Sequence, residues 1–243
     1  MATGCALTAS PVYEADFNVG KKPPLSLPEA YENLKSAVQK IYYSNGTTAG
    51  DLRLTGEGFT FKNNGAEYAL FKYSDIQNLT VYADPNSSYF YVEWNANFYY
   101  WWKVQSDAQT FVDAVMAMKY YASKQFLADD AVAFEEFQDK ANIWRTASVK
   151  PPLPEEARRF RVVADDAVQN NNFDKAAGYY EQGLAIDPMW PAGQYNVAVI
   201  YKELNFYTMA VMHMKRYLAL KPEDTQKYRD QMYIWEEKVN EQQ

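Results

Sequence analysis

From Ala157 to Pro222 the chain repeats itself with a period of 34 residues. Setting Phe160-Arg-Val-Val-Ala164 against Gln194-Tyr-Asn-Val-Ala198 also brings Phe173 onto Tyr207, Ala176 onto Ala210, Gly183 onto Tyr217 and Pro188 onto Pro222. A unit this short cannot bury an apolar face alone, so successive units must stack. Ala164 and Ala198 are small residues one period apart, as are Ala176 and Ala210, and a proline closes each repeat.

This period and these residue types resemble the tetratricopeptide repeat, a helix-turn-helix unit. The resemblance implies an all-α domain over residues 150–243, with repeats at 157–190 and 191–224 and a closing helix at 225–240 that carries Tyr228, Met232, Trp235 and Val239. It also implies that the domain binds an unidentified partner protein or peptide. The inner face of the first helix of each pair then presents Arg158, Arg161, Asp165, Gln169, Tyr195, Asn196 and Lys202. The chaperone-tail clamp of some family members is matched at Arg161 and Asn196, but Asp165, Gln226 and Asp230 depart from it. Because two repeats are fewer than usually stand alone, the amphipathic stretch 125–149, with Phe134, Phe137, Ala141 and Trp144 along one side, is expected to connect the halves and cap the repeats at one end.

The N-terminal half has a different texture. Lys22-Pro-Pro-Leu25 is a stiff extended lead, mirrored by Lys150-Pro-Pro-Leu153 before the repeats. Ser26 and Glu29 then form a capping-box pattern at the start of a helix with Ala30, Leu34, Ala37, Val38 and Ile41 at helical spacing, ending near Asn45-Gly46. From Gly50 the period switches to two. Strands are predicted at about 50–55, 58–63, 67–73, 76–82, 88–94 and 98–104, followed by a helix from Ser106. Strands closing on the helix Phe111-Val-Asp-Ala-Val-Met-Ala-Met-Lys119 resemble a pleckstrin-homology-like barrel over residues 50–123. The fold class is therefore α+β: a pleckstrin-like domain at 26–124 followed by an all-α domain. Phosphoinositide binding in that family needs basic residues between the first two strands; here the loop is Thr55-Gly-Glu-Gly58, so the lipid is not expected.

Nine of the fourteen residues from Tyr89 to Trp102 are aromatic, more than one core face can take. Alternation sends Phe90, Val92, Trp94, Phe98, Tyr100 and Trp102 one way and Tyr89, Tyr91, Tyr99 and Trp101 the other. The second set is expected to pack against the helical half. Otherwise it is an exposed aromatic patch of the kind used for protein or glycan binding.

Net charge is −7, which disfavours a broad electrostatic grip on nucleic acid or an anionic membrane. Ala2-Thr-Gly-Cys5-Ala6 resembles the end of a bacterial lipoprotein signal, with Cys5 as the lipidated residue and residues 1–25 as a flexible tether. That resemblance implies a lipid-anchored protein of the cell envelope, touching membrane only through Cys5; a cytoplasmic chain is the alternative. His213 is the sole histidine and Cys5 the sole cysteine, so neither a metal site nor a catalytic triad is expected, and no phosphate-binding glycine loop occurs. The expectation is a non-enzymatic adaptor without cofactor that binds through its repeats. A second reading makes it a carbohydrate or peptide receptor using the hairpin 89–102.

Overall fold

The computed structural model describes residues 9–15, 22–42, 49–63, 66–67, 70–76, 79–95, 98–221, 223 and 225–242. Among them are eight α-helices and two small antiparallel sheets, a mixed α+β architecture. One unit takes the described residues up to Leu54 together with Gly58–Tyr120; the other takes Tyr121–Gln243 with Thr55–Glu57.

In chain order the strands are β1 (Pro11–Glu14), β2 (Ala49–Leu54), β3 (Gly58–Asn63), β4 (Ala66–Glu67), β5 (Phe71–Lys72), β6 (Thr80–Ala83), β7 (Phe90–Asn95) and β8 (Phe98–Trp102). One sheet has the order β1-β6-β7-β8; the other has β2-β3-β4, with β5 also on β3. The described pairings leave two open sheets rather than one closed barrel. Three further differences from the alternation pattern are informative. Residues expected in a loose leader supply β1, which is too short and too near a proline to show a period of two. The run expected at 67–73 breaks into β4 and β5. The strand expected from Ile76 starts only at Thr80, because Tyr73–Asp75 form a 3-10 turn closed by the Ile76 N–H donating to Tyr73 O at 3.2 Å.

Helix α1 (Leu27–Gln39) opens with the anticipated capping box. The Ser26 N–H donates to the Glu29 carboxylate at 2.8 Å, while the Glu29 N–H donates to Ser26 Oγ at 3.4 Å. The helix stops before Asn45-Gly46 because Tyr42 turns extended, its N–H donating to Trp101 O at 2.6 Å. Between the sheets lies a ring cluster that accounts for much of the aromatic content. Phe59 and Phe61 from β3, Phe71 from β5, Tyr100 and Trp102 from β8, and Phe111 from α2 (Gln105–Tyr121) are all buried, with centroids such as Phe61–Tyr100 at 5.5 Å and Trp102–Phe111 at 4.9 Å. The Trp102 indole N–H finds the Ala37 carbonyl at 3.0 Å, so its polar edge is satisfied inside the core.

The second unit contains α3 (Lys124–Thr146), α4 (Glu155–Gln169), α5 (Phe173–Ile186), α6 (Pro191–Glu203), α7 (Tyr207–Leu220) and α8 (Thr225–Glu241). The 34-residue period recurs in the backbone. Asn171 and Asn205, 34 apart, both take positive φ (56° and 57°) in the turns between paired helices. This left-handed conformation is one that asparagine tolerates better than most residues. Around them the hydrogen bonds repeat: Asn172 N–H to Ala167 O and Phe206 N–H to Tyr201 O are both 2.8 Å, and Asn171 N–H to Val168 O and Asn205 N–H to Lys202 O are 2.9 and 3.0 Å. Ala164, Ala198, Ala176 and Ala210 are fully buried.

Helix α3 does not stand as a cap at the end of the array but lies along α7. Phe137, Ala141 and Leu220 form a buried cluster there, with Phe134, Trp144, Met189 and Ala219 against it. Asp130 and Arg216 fix this placement through two bonds of 2.6 and 2.9 Å, and the Arg145 guanidinium donates to Ala219 O. Asp129, by contrast, accepts from Gln125 Nε2 at 2.7 Å, so the adjacent carboxylates serve different partners.

Candidate functional site

The residues expected on the inner face of the repeats divide into a joined group and outliers. Asp165 on α4 and Asn196 on α6 meet at Tyr180 of α5: the Tyr180 hydroxyl donates to the Asp165 carboxylate and accepts from Asn196 Nδ2 at 2.8 Å. Burial first, and then the bond to Asp165, push the Tyr180 phenol far above its ordinary range, so it stays a neutral donor. Trp190 packs on the Tyr180 ring at 5.6 Å and in turn presses on Gly193, where a Cβ would lie 2.3 Å from the indole. Arg161, one turn before Asp165 on α4, is half-buried, and its Nε is buried with no acceptor among the described residues.

Tyr195, next to Asn196 on α6, joins Tyr217 of α7 and Tyr228 of α8 in a three-ring cluster with centroid separations of 5.2, 5.2 and 5.4 Å. Burial, followed by the neighbouring Tyr228, raises the Tyr195 phenol. The outliers are Arg158, exposed and paired with Glu155 at 3.6 Å, Lys202, paired with its neighbour Glu203 at 2.9 Å, and Gln169, exposed at the last turn of α4. The arrangement therefore offers a guanidinium N–H without an acceptor, a carboxylate, a carboxamide and a ring cluster, a set suited to holding a polypeptide by hydrogen bonds and stacking.

A second polar group lies within the helices. His213 Nδ1 is 2.8 Å from Gln194 Oε1, and its Nε2 is 2.9 Å from Glu181 Oε1, which also accepts from the Tyr201 hydroxyl at 3.0 Å. Gln194 Nε2 donates to Pro188 O at 3.0 Å, which fixes the amide so that its oxygen faces the ring.

Sequence reasoning missed Tyr180, Tyr217 and Tyr228 because they lie outside the first helices of the pairs. A signal existed: Asp165 and Tyr180 lie on either side of the same turn, Asn170–Asn172, where a helical hairpin sets residues of its two helices against each other.

In the other unit, the hairpin set occupies one face of β7 and β8. Tyr91 is buried at 3 % exposure beneath Tyr82, Trp101 and Tyr99, while Tyr99 is 39 % exposed and Tyr89 stacks on Tyr42 at 4.6 Å. The sequence reading did not include Tyr42 or Tyr82 in this set. Among the described residues no group of three or more His, Cys, Asp or Glu is placed to hold a metal ion, and no helix is long and apolar enough to cross a membrane. Cys5, and with it the anchoring expectation, lies outside the described residues, as does Pro222. No protein-family model, curated protein or solved structure matches the chain.

Proposed function

We propose that this chain is a non-enzymatic adaptor whose repeats, of tetratricopeptide type, hold an extended segment of a partner protein along the face lined by Arg161, Asp165, Asn196 and Tyr195. The observation that carries the reading is Arg161: a guanidinium N–H is buried without an acceptor among the described residues, beside a cluster in which Tyr180 bonds both Asp165 and Asn196. A buried donor left unmade costs free energy, and a rotation of the half-exposed side chain that turns this N–H to an arriving carbonyl or carboxylate recovers it. The 34-residue recurrence of the turns supports the repeat reading. Two antiparallel sheets around a ring core with α2 against it are in keeping with a pleckstrin-homology-like roll in the other unit, and the acidic Thr55-Gly-Glu-Gly58 loop again argues against a phosphoinositide ligand.

The test is to pan a random peptide library against the immobilised chain and, in parallel, against Arg161→Glu. Enriched peptides should share acceptor-bearing residues and lose roughly tenfold or more in affinity for the variant, the scale of one charge-assisted hydrogen bond. The variant should unfold at the temperature of the parent. Peptides binding both proteins equally would overturn the assignment of the groove.

A further inference from the structure

The face of the first sheet turned away from the ring core is built in rows. Tyr82, Tyr91 and Trp101 stand directly opposite one another across β6, β7 and β8, and Tyr42 bridges to Trp101 at the end of the row. Residues directly opposite on antiparallel strands share a face. One step along, about 6–7 Å away, Glu14 faces Thr80 and Glu93 faces Tyr99. An aromatic row thus runs beside a row carrying two carboxylates, with Asp84 at the β6–β7 turn beyond.

The rings pack on one another, Tyr82 stacked on Tyr91 at 5.2 Å and Trp101 tilted onto it at 4.9 Å, which leaves Tyr82 and Trp101 half-buried and Tyr99 exposed. Burial first, and then Tyr82, Glu93, Tyr99 and Asp84, raise the Tyr91 phenol. Among the described residues Glu93 makes no ion pair, and Glu14 accepts only the long 3.5 Å bond from Thr80 Oγ1. The face already holds one cation in this manner: Lys103 Nζ lies 5.0 Å from the centre of the Tyr42 ring.

Rings alone would suit a neutral sugar as well as a peptide. Carboxylates one step from the rings add a requirement for positive charge, and a planar guanidinium meets both conditions by stacking on a ring while bonding a carboxylate edge-on. Alternate side chains of an extended peptide are spaced by about the distance between the rows. We propose that this face binds an arginine-bearing peptide segment, with one guanidinium over Trp101 and Tyr82 against Glu93 and a second reaching Glu14. The residues it uses are none of those lining the groove of the repeats, so either proposal can fail without the other.

The probe is acetylated and amidated tetra-arginine, titrated into the full chain by tryptophan fluorescence and calorimetry. Saturable one-to-one binding is expected, weakened about fivefold or more by Glu93→Gln, by Glu14→Gln and by Trp101→Leu, and unchanged by Arg161→Glu. Tetra-lysine should bind more weakly, and neutral cellotetraose not at all. Glu93→Gln removes only a charge and should keep the parent's thermal unfolding. The double variant Glu135→Gln with Glu136→Gln, on the exposed side of α3, controls for general attraction to a chain of net charge −7. Non-saturating binding, an equal loss in that control, full binding by both Glu93→Gln and Glu14→Gln, or cellotetraose binding in place of tetra-arginine would each overturn the proposal.

Discussion

His213 shows how much a single residue can hide in a sequence. Flanked by Met212 and Met214, it reads as an isolated polar residue on an apolar helix, yet both its ring nitrogens face oxygen acceptors. The carboxylate among those acceptors is Glu181. Burial pushes that carboxyl up, but the attraction and hydrogen bond of His213, the Tyr201 hydroxyl and the more distant Arg216 together outweigh it, leaving the group below its usual 4.5. A carboxyl lowered in the folded state adds stability above its unfolded pKa and loses it as pH falls through the folded value. Glu181→Gln should therefore unfold more easily than the parent near neutral pH, and the gap should narrow below about pH 4.5 as the parent's carboxylate protonates. Thermal unfolding from about pH 7 to about pH 3 measures this, and parallel curves for the two proteins would refute it. None of these three contacts was legible beforehand, because they join α5, α6 and α7 across 19 or more residues and leave no local pattern.

At the level of elements, legibility followed the length and regularity of the period. The repeat helices carry small residues at fixed 34-residue offsets, and α5 and α7 begin at Phe173 and Tyr207, one such offset apart. β4 and β5, two residues each, were not, since a strand that short is set by its partner β3 more than by its own alternation. The place of α3 was also missed. Its stripe of Phe134, Phe137, Ala141 and Trp144 announced that it would pack, but a stripe names no partner, and Asp130 meeting Arg216 across 86 residues selects α7. Ala176 and Ala210 are both fully buried in the second helices of their pairs. Enlarging either to Leu should cost about 1–3 kcal/mol by overpacking. Chemical denaturation reads this directly, and unchanged midpoints in both variants would show that the helices do not meet there.

For the molecule as a whole, the α+β class was legible in the switch of period, which the sequence put near residue 125 and the division into units puts after Tyr120. What single-sequence periodicity could not supply was closure. Both sheets are open, and the first ends in β1, drawn from a stretch whose Pro- and Gly-bearing composition read as tether. That strand has a further effect on how the protein behaves in concentrated solution. β6 would otherwise present its row of N–H and C=O groups at the margin, an invitation to pair with a neighbour's strand. β1 occupies that margin with a proline that has no N–H to offer, a shift of register between Pro11 and Tyr13, and the charged Glu14 at its end. It thus acts as a guard against self-association. Removing residues 1–15 should leave the helical unit's unfolding unchanged but make the protein scatter light increasingly with concentration, while a truncated chain that stayed monodisperse would show that the margin is harmless without its cover.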